Sequence, residues 1–223
     1  MSSPWHKANP TLLEKERNEV EAAYPSLHFH IVNYAVFVRG TFPIVLEKEV
    51  FDRYLIEISL LRDYPKSMPI VREVGGRIPH TAERHMNPAD GTACVLLPDQ
   101  RWEVWPPGST LLHFIDGPVL NFFLGQSLVE LGEPWPFGYW SHHADGIREY
   151  YTGLLGTDDI RTIAQFVGYL TKENIKGHWP CPCGNGKQLR DCHRDMLRDL
   201  STKIDRKLAT ESLRKLRERS KLS

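Results

Sequence analysis

The chain has no long hydrophobic run: no apolar stretch among its 223 residues approaches the ~20 needed to span a bilayer. Its opening, Met1-Ser2-Ser3-Pro4-Trp5-His6, has neither the basic stretch nor the apolar core of a signal peptide, so the cytoplasm is the expected compartment. There is no net charge either. Lys+Arg and Asp+Glu both number 28, which removes the bulk electrostatic case for nucleic acid or a membrane as the main partner. No internal repeat or low-complexity segment is present. With 41% hydrophobic and 25% charged residues, the composition is that of a globular protein.

Cysteine is scarce, and its placement carries the information. Of four cysteines, Cys94 stands alone and Cys181, Cys183 and Cys192 fall within twelve residues. Such clustering in a reducing compartment reads as a metal site rather than a disulfide framework. The charge balance is also uneven: Met196–Ser223 holds nine Lys/Arg against four acids, a net of +5, which leaves −5 for the rest. That basic tail reads either as the solvated side of a helix or as a docking arm for an acidic partner.

The elements run in the order helix, strands, loop, helices. Thr11-Leu12-Leu13-Glu14 has the form of a capping box, opening a helix with Leu12, Leu13, Val20 and Ala23 on its apolar face and Pro25 at its end. Strands are expected at 27–31, 34–38 and 50–61, the last from the alternation of Tyr54, Ile56, Ile58 and Leu60, with a short one from Pro69. A loop covers 75–93. Ser109 or Thr110 then caps an apolar helix reaching about Leu131, and helices follow at 144–155 and 158–172. A basic amphipathic helix carries Leu197, Leu200, Ile204 and Leu208 along one face. Helices segregated from one antiparallel sheet make an α+β fold.

Four motifs occur in order: Tyr64-Pro65-Lys66-Ser67-Met68-Pro69, His85-Met86-Asn87, Gly91-Thr92-Ala93-Cys94, and Trp102 with Trp105-Pro106. Over roughly residues 11–130 this succession resembles the ubiquitin-conjugating-enzyme family. Met68 and Met86 stand where that family has prolines, and the Asn-to-Cys loop is one residue shorter. The resemblance implies an antiparallel sheet with flanking helices. It also implies a thioester on Cys94, formed with a ubiquitin-like modifier delivered by an activating enzyme and passed to an amine of a target protein. A thiolate suits acyl carriage because its thioester forms easily and yields easily to an amine. Asn87 is the candidate amide donor to the tetrahedral oxyanion, a role worth ~2.7–4 kcal/mol for a well-placed group; a turn-holding Asn is the other reading. Trp102, Trp105 and Pro106 are expected to pack the loop against the next helix.

Residues Trp135 to Tyr150 look like bacterial relatives encoded in antiviral defence operons. There His142 or His143 is a candidate for proton transfer near Cys94, imidazole titrating near neutrality; a surface or helix-capping histidine is the alternative.

Cys181-Pro182-Cys183 followed by eight residues and Cys192-His193 resembles the SEC-C zinc motif at every ligand position. Three thiolates and an imidazole suit tetrahedral Zn²⁺ with no open position, hence a structural site. The expected domains are a ubiquitin-conjugating-like one at 1–155, a helical connector at 156–175, and a zinc knuckle with basic helix at 176–223. Loss of metal is expected to unfold only residues from about Lys176 onward. A non-catalytic binding module of the same fold, or an adaptor acting through the zinc tail, is the alternative function.

Overall fold

A computed structural model describes residues 3–137 and 144–220. Chain contacts divide it into two compact units, one of residues 1–96 with 104–138, the other of 97–103 with 139–223.

In the first unit a short helix α1 (Trp5–Ala8), absent from the sequence reading, precedes α2 (Pro10–Ala23). The α2 start lies before the expected capping box. Asn9 is the cap, its Oδ1 accepting Leu12 N–H at 3.1 Å, and Pro10 follows at the first helical position, where a missing N–H costs nothing. Val20 is fully buried as expected, whereas Ala23 is exposed and Glu16 is the other buried α2 residue. The Glu16 carboxylate accepts Tyr64 O–H at 2.6 Å and Leu111 N–H at 2.7 Å. It thereby satisfies one of the orphan donors at the start of the later helix.

The sheet is an antiparallel meander in the order β1 (Leu27–Val32), β2 (Ala35–Leu46), β3 (Glu49–Leu60), β4 (Ile70–Glu73). Both long hairpins turn on two residues with positive φ, Asn33–Tyr34 and Glu47–Lys48, the geometry that matches strand twist. β2 runs eight residues beyond the expected end at Val38. Pro43 is tolerated because β1 pairs only as far as Gly40, leaving that side of β2 without a partner needing the proline's N–H. The alternation in β3 is realised: Tyr54, Ile56, Ile58 and Leu60 are buried against Val36, Val38, Phe42 and Ile44 of β2.

Over this face lies a helical run that Thr110 caps, its Oγ1 accepting His113 N–H at 3.2 Å. It follows the one-turn α3 (Arg101–Val104) and comprises α4 (Leu111–Phe114), a π-turn at Ile115–Val119, and α5 (Leu120–Glu130). Pro118 lies inside the π-turn, where its lack of an N–H interrupts the regular ladder. Phe114, Val119, Phe122 and Phe123 complete the core; truncating one of the three phenylalanines to Ala costs ~3–5 kcal/mol. This unit is the expected α+β arrangement of a four-stranded antiparallel sheet with flanking helices.

The second unit is helical: α6 (Ala144–Leu155), α7 (Ile160–Leu170), α8 (Arg194–Lys203) and α9 (Arg206–Ser220). Its composition departs from the expected boundaries. Ile163, Phe166, Val167 and Leu170 form a helical stripe on α7 that must be covered, and they share one core with Ile147 and Tyr151 of α6, Leu197 and Leu200 of α8, Leu213 and Leu216 of α9, and Cys181 and Leu189. Residues 156–175 are therefore part of this core and not a separate connector. The basic helix is interrupted at Ile204–Asp205, where Asp205 Oδ1 accepts Leu208 N–H at 2.9 Å and caps α9. No helix among the described residues is long and apolar enough to cross a membrane.

Candidate functional site

Cys94 is exposed in the first unit. Its strand-like segment is tied down on both sides. Ala93 N–H donates to the Val71 carbonyl of β4 at 2.8 Å, and Cys94 N–H donates to the His85 carbonyl at 2.8 Å. Met86 and Ala93 form a bridge, with Asn87 N–H donating to the Thr92 carbonyl at 2.8 Å and Gly91 N–H closing the loop onto the Asn87 carbonyl at 2.9 Å. The thiol thus stands at the end of a small hairpin hung from the sheet, reachable from solvent, with its backbone fixed.

The same hairpin sets Asn87 opposite Thr92, two positions from Cys94. Residues so related lie on one face at a diagonal spacing of about 7–8 Å. The Asn87 Oδ1 accepts Ala89 N–H at 3.1 Å, so the side chain holds the turn through its oxygen. His85 is buried, and its ring lies 4.4 Å from that of Trp135. Trp135 in turn fills the notch at Gly125, where a Cβ would come within 2.7 Å of the indole. His142 and His143 lie outside the described residues.

The tryptophans part company. Trp105 is buried in the first unit, its Nε1 donating to the Thr110 carbonyl at 2.9 Å and its ring 5.4 Å from Phe114. It packs the loop on the following helix as expected. Trp102 belongs to the second unit, donating to Tyr150 Oη at 2.9 Å beneath the Lys203 ammonium, 4.0 Å from the ring.

The sequence-predicted ligands converge. One ligand atom each from Cys181, Cys183, Cys192 and His193 lies within 4.8 Å of the others. His193 Nδ1 is 3.1 Å from both Cys181 Sγ and Cys192 Sγ, and Cys183 Sγ is 3.6 Å from Cys192 Sγ. Tetrahedral bonds of ~2.3 Å to sulfur and ~2.0–2.1 Å to nitrogen place ligand atoms about 3.6–3.8 Å apart. The observed spread brackets that value. Gly184 and Gly186, both at φ +76°, bend the chain between the ligand pairs. Cys181 N–H donates to the Lys187 carbonyl at 2.9 Å, Pro180 bridges Gln188, and His193 immediately precedes α8. Asn185 adds an outer contact, its Nδ2 donating to Cys192 Sγ at 3.0 Å while its Oδ1 accepts Lys187 N–H.

Electrostatics favour a cation among these groups. Burial pushes the Cys181 thiol up to about 11. Cys183 moves the other way: burial opposes its ionisation, but hydrogen bonds from the Asn185 N–H and the other two thiols outweigh it. Ionising all three thiols this close together would set like charges against one another, and a divalent ion at their centre removes that repulsion. The four residues can hold a metal ion.

Asp99 went unnoticed in the sequence. It is 1% exposed in the second unit, its carboxylate accepting Tyr151 O–H at 2.9 Å and Ser212 O–H at 2.8 Å. Burial raises its pKa against those two hydrogen bonds. No signal could have paired it, since its partners are 52 and 113 positions away. Comparison with protein-family models, curated proteins and solved structures gave no match.

Proposed function

We propose that the first unit is a ubiquitin-conjugating-like domain and that Cys94 carries a ubiquitin-like modifier as a thioester. The observation that carries this reading is the exposed Cys94 thiol on a backbone pinned to His85 and to β4 through its neighbour Ala93. A fixed, accessible nucleophile is what acyl transfer between large partners requires. The Cys94 thiolate attacks the modifier's C-terminal thioester on the activating enzyme and expels that enzyme's cysteine thiolate. A target amine then attacks the new thioester, loses its proton, and releases the Cys94 thiolate. Asn87 serves the tetrahedral oxyanion through its amide N–H₂, which the turn leaves available when Oδ1 accepts Ala89 N–H. His142 and His143 are the candidates for taking the amine's proton.

In this reading the cysteine–histidine cluster holds Zn²⁺ as a closed structural site, the ligand set fitting zinc's preference for sulfur and nitrogen. The motif order supports a cytoplasmic bacterial protein of a conjugation system serving antiviral defence. Reconstitution with the activating enzyme, ATP and modifier tests the function. Asn87→Ala should load Cys94 normally but discharge to the target amine about 10²-fold more slowly. Equal loss of both steps with a lowered melting temperature would assign Asn87 to the turn alone.

A further inference from the structure

The carbonyl that receives the Cys94 N–H belongs to His85, and the residue before it is held by an unusual pair of bonds. Gln126, on α5, is fully buried. Its Oε1 accepts Arg84 Nε–H at 2.7 Å, and its Nε2 donates to the Arg84 backbone carbonyl at 2.7 Å. One amide side chain thus grips both the side chain and the main chain of Arg84. The guanidinium also reaches Glu130 at 3.1 Å, one turn further along α5. A buried amide that lost these partners would pay the full desolvation cost of its polar atoms, so the clasp has no cheap alternative arrangement.

The next peptide along is the one that matters. With the Arg84 carbonyl fixed by Gln126, the chain enters His85 in the left-handed conformation, φ 49°, a rare setting for a residue with a side chain. That turn aims the His85 carbonyl at the Cys94 N–H. Trp135 adds a second grip by packing on the His85 ring from its seat on Gly125 of α5. Both grips rest on α5, Gln126 as one of its residues and Trp135 by packing on it, and both act on the two residues preceding Met86, the hairpin strand opposite the nucleophile.

We propose that Gln126 is a positioning residue for Cys94: its double hydrogen bond to Arg84 sets the His85 carbonyl, which in turn fixes the backbone of the nucleophile. The role rests on Cys94 being the acyl carrier, but the clasp itself is a statement about backbone geometry. It can be tested without any modifier or activating enzyme.

The decisive comparison is between two adjacent amides read by residue-resolved hydrogen exchange. Cys94 N–H depends on His85, whereas Ala93 N–H depends on Val71 of β4 and owes nothing to the clasp. In Gln126→Met, which keeps side-chain length while removing both polar atoms, Cys94 N–H should exchange about ten-fold faster while Ala93 N–H changes less than about two-fold. Arg84→Met, a change at a more exposed position, should shift the same amide in the same direction by a smaller factor. If Ala93 and Cys94 lose protection together in both variants, Gln126 is a packing residue only and the proposal fails. Unchanged exchange at Cys94 in either variant also overturns it. A failed modifier-loading assay with selective loosening of Cys94 would remove the proposed function while leaving the clasp standing.

Discussion

The Asp99 carboxylate accepts the Ser212 hydroxyl at 2.8 Å across 113 positions of sequence, and its other oxygen accepts Tyr151 O–H. One buried acid therefore joins the 97–103 segment to α6 and α9 inside the second unit. Asp99→Ala strands two buried hydroxyls and should destabilise this unit by about 2–3 kcal/mol. Asp99→Asn keeps one acceptor and gains a donor, and should cost less than about 1 kcal/mol at neutral pH. Burial raises the folded-state pKa of Asp99, so its contribution favours the folded state most below the unfolded value of 3.8 and declines as pH rises through the folded one. Asp99→Asn should remove that decline, as urea denaturation at several pH values would record.

A second acid behaves oppositely. The Arg77 guanidinium, bonded to both Asp52 oxygens at 2.8 Å, holds the Asp52 carboxyl at about 2 against the opposing push of partial burial. Its stabilisation is complete above the unfolded value of 3.8 and is lost as pH falls through about 2. After allowance for the partly exposed guanidinium, Asp52→Asn should cost about 1–2 kcal/mol at pH 7. Wild type and variant should converge in stability only below about pH 2, which thermal melts across that range would show.

Metal removal should reach further than the ligand segment. Cys181 and Leu189 share the core of α6 to α9, and Trp179 and Cys192 pack against it. Protein purified without added metal should contain one zinc per chain, released by strong chelators or by acid that protonates thiolates and imidazole. Limited proteolysis after chelation should then cut throughout 144–220 while sparing the sheet unit. Cleavage confined to residues beyond Lys176 would mean the helices hold without the ligand segment.

What the sequence disclosed and what it hid follow one physical division. The cysteine–histidine ligands were legible because the whole set lies within thirteen consecutive residues, so spacing alone brings them together. The β3 strand was legible because its side chains alternate at the strand period. The length of β2 was not, since Gly40 and Pro43 carry local signals against a strand: Gly40 is where the Ser26 carbonyl comes within 1.8 Å of any Cβ, and Pro43 lies beyond the last β1 pair, where its missing N–H is harmless. The start of α2 was misplaced because Thr11 and Glu14 fit a capping box as well as Asn9 and Pro10 fit theirs. Glu16, Asp99 and Gln126 were hidden altogether. Each is a polar residue whose burial is decided by a partner 42 or more positions away, and no local pattern encodes such a pairing. His142 and His143 fall outside the described residues, and Asn87 holds its turn through a bond to Ala89, the alternative that an Asn in a loop already offered.

The most direct test of the acyl-carrier reading is the mass of the intact protein isolated from its native cells under non-reducing conditions. A fraction should carry the added mass of a small protein, attached at Cys94 and released by neutral hydroxylamine, which cleaves a thioester and leaves a disulfide intact. Cys94→Ala should lack the adduct entirely. An adduct that survives in Cys94→Ala, or one that hydroxylamine leaves in place, would contradict the account.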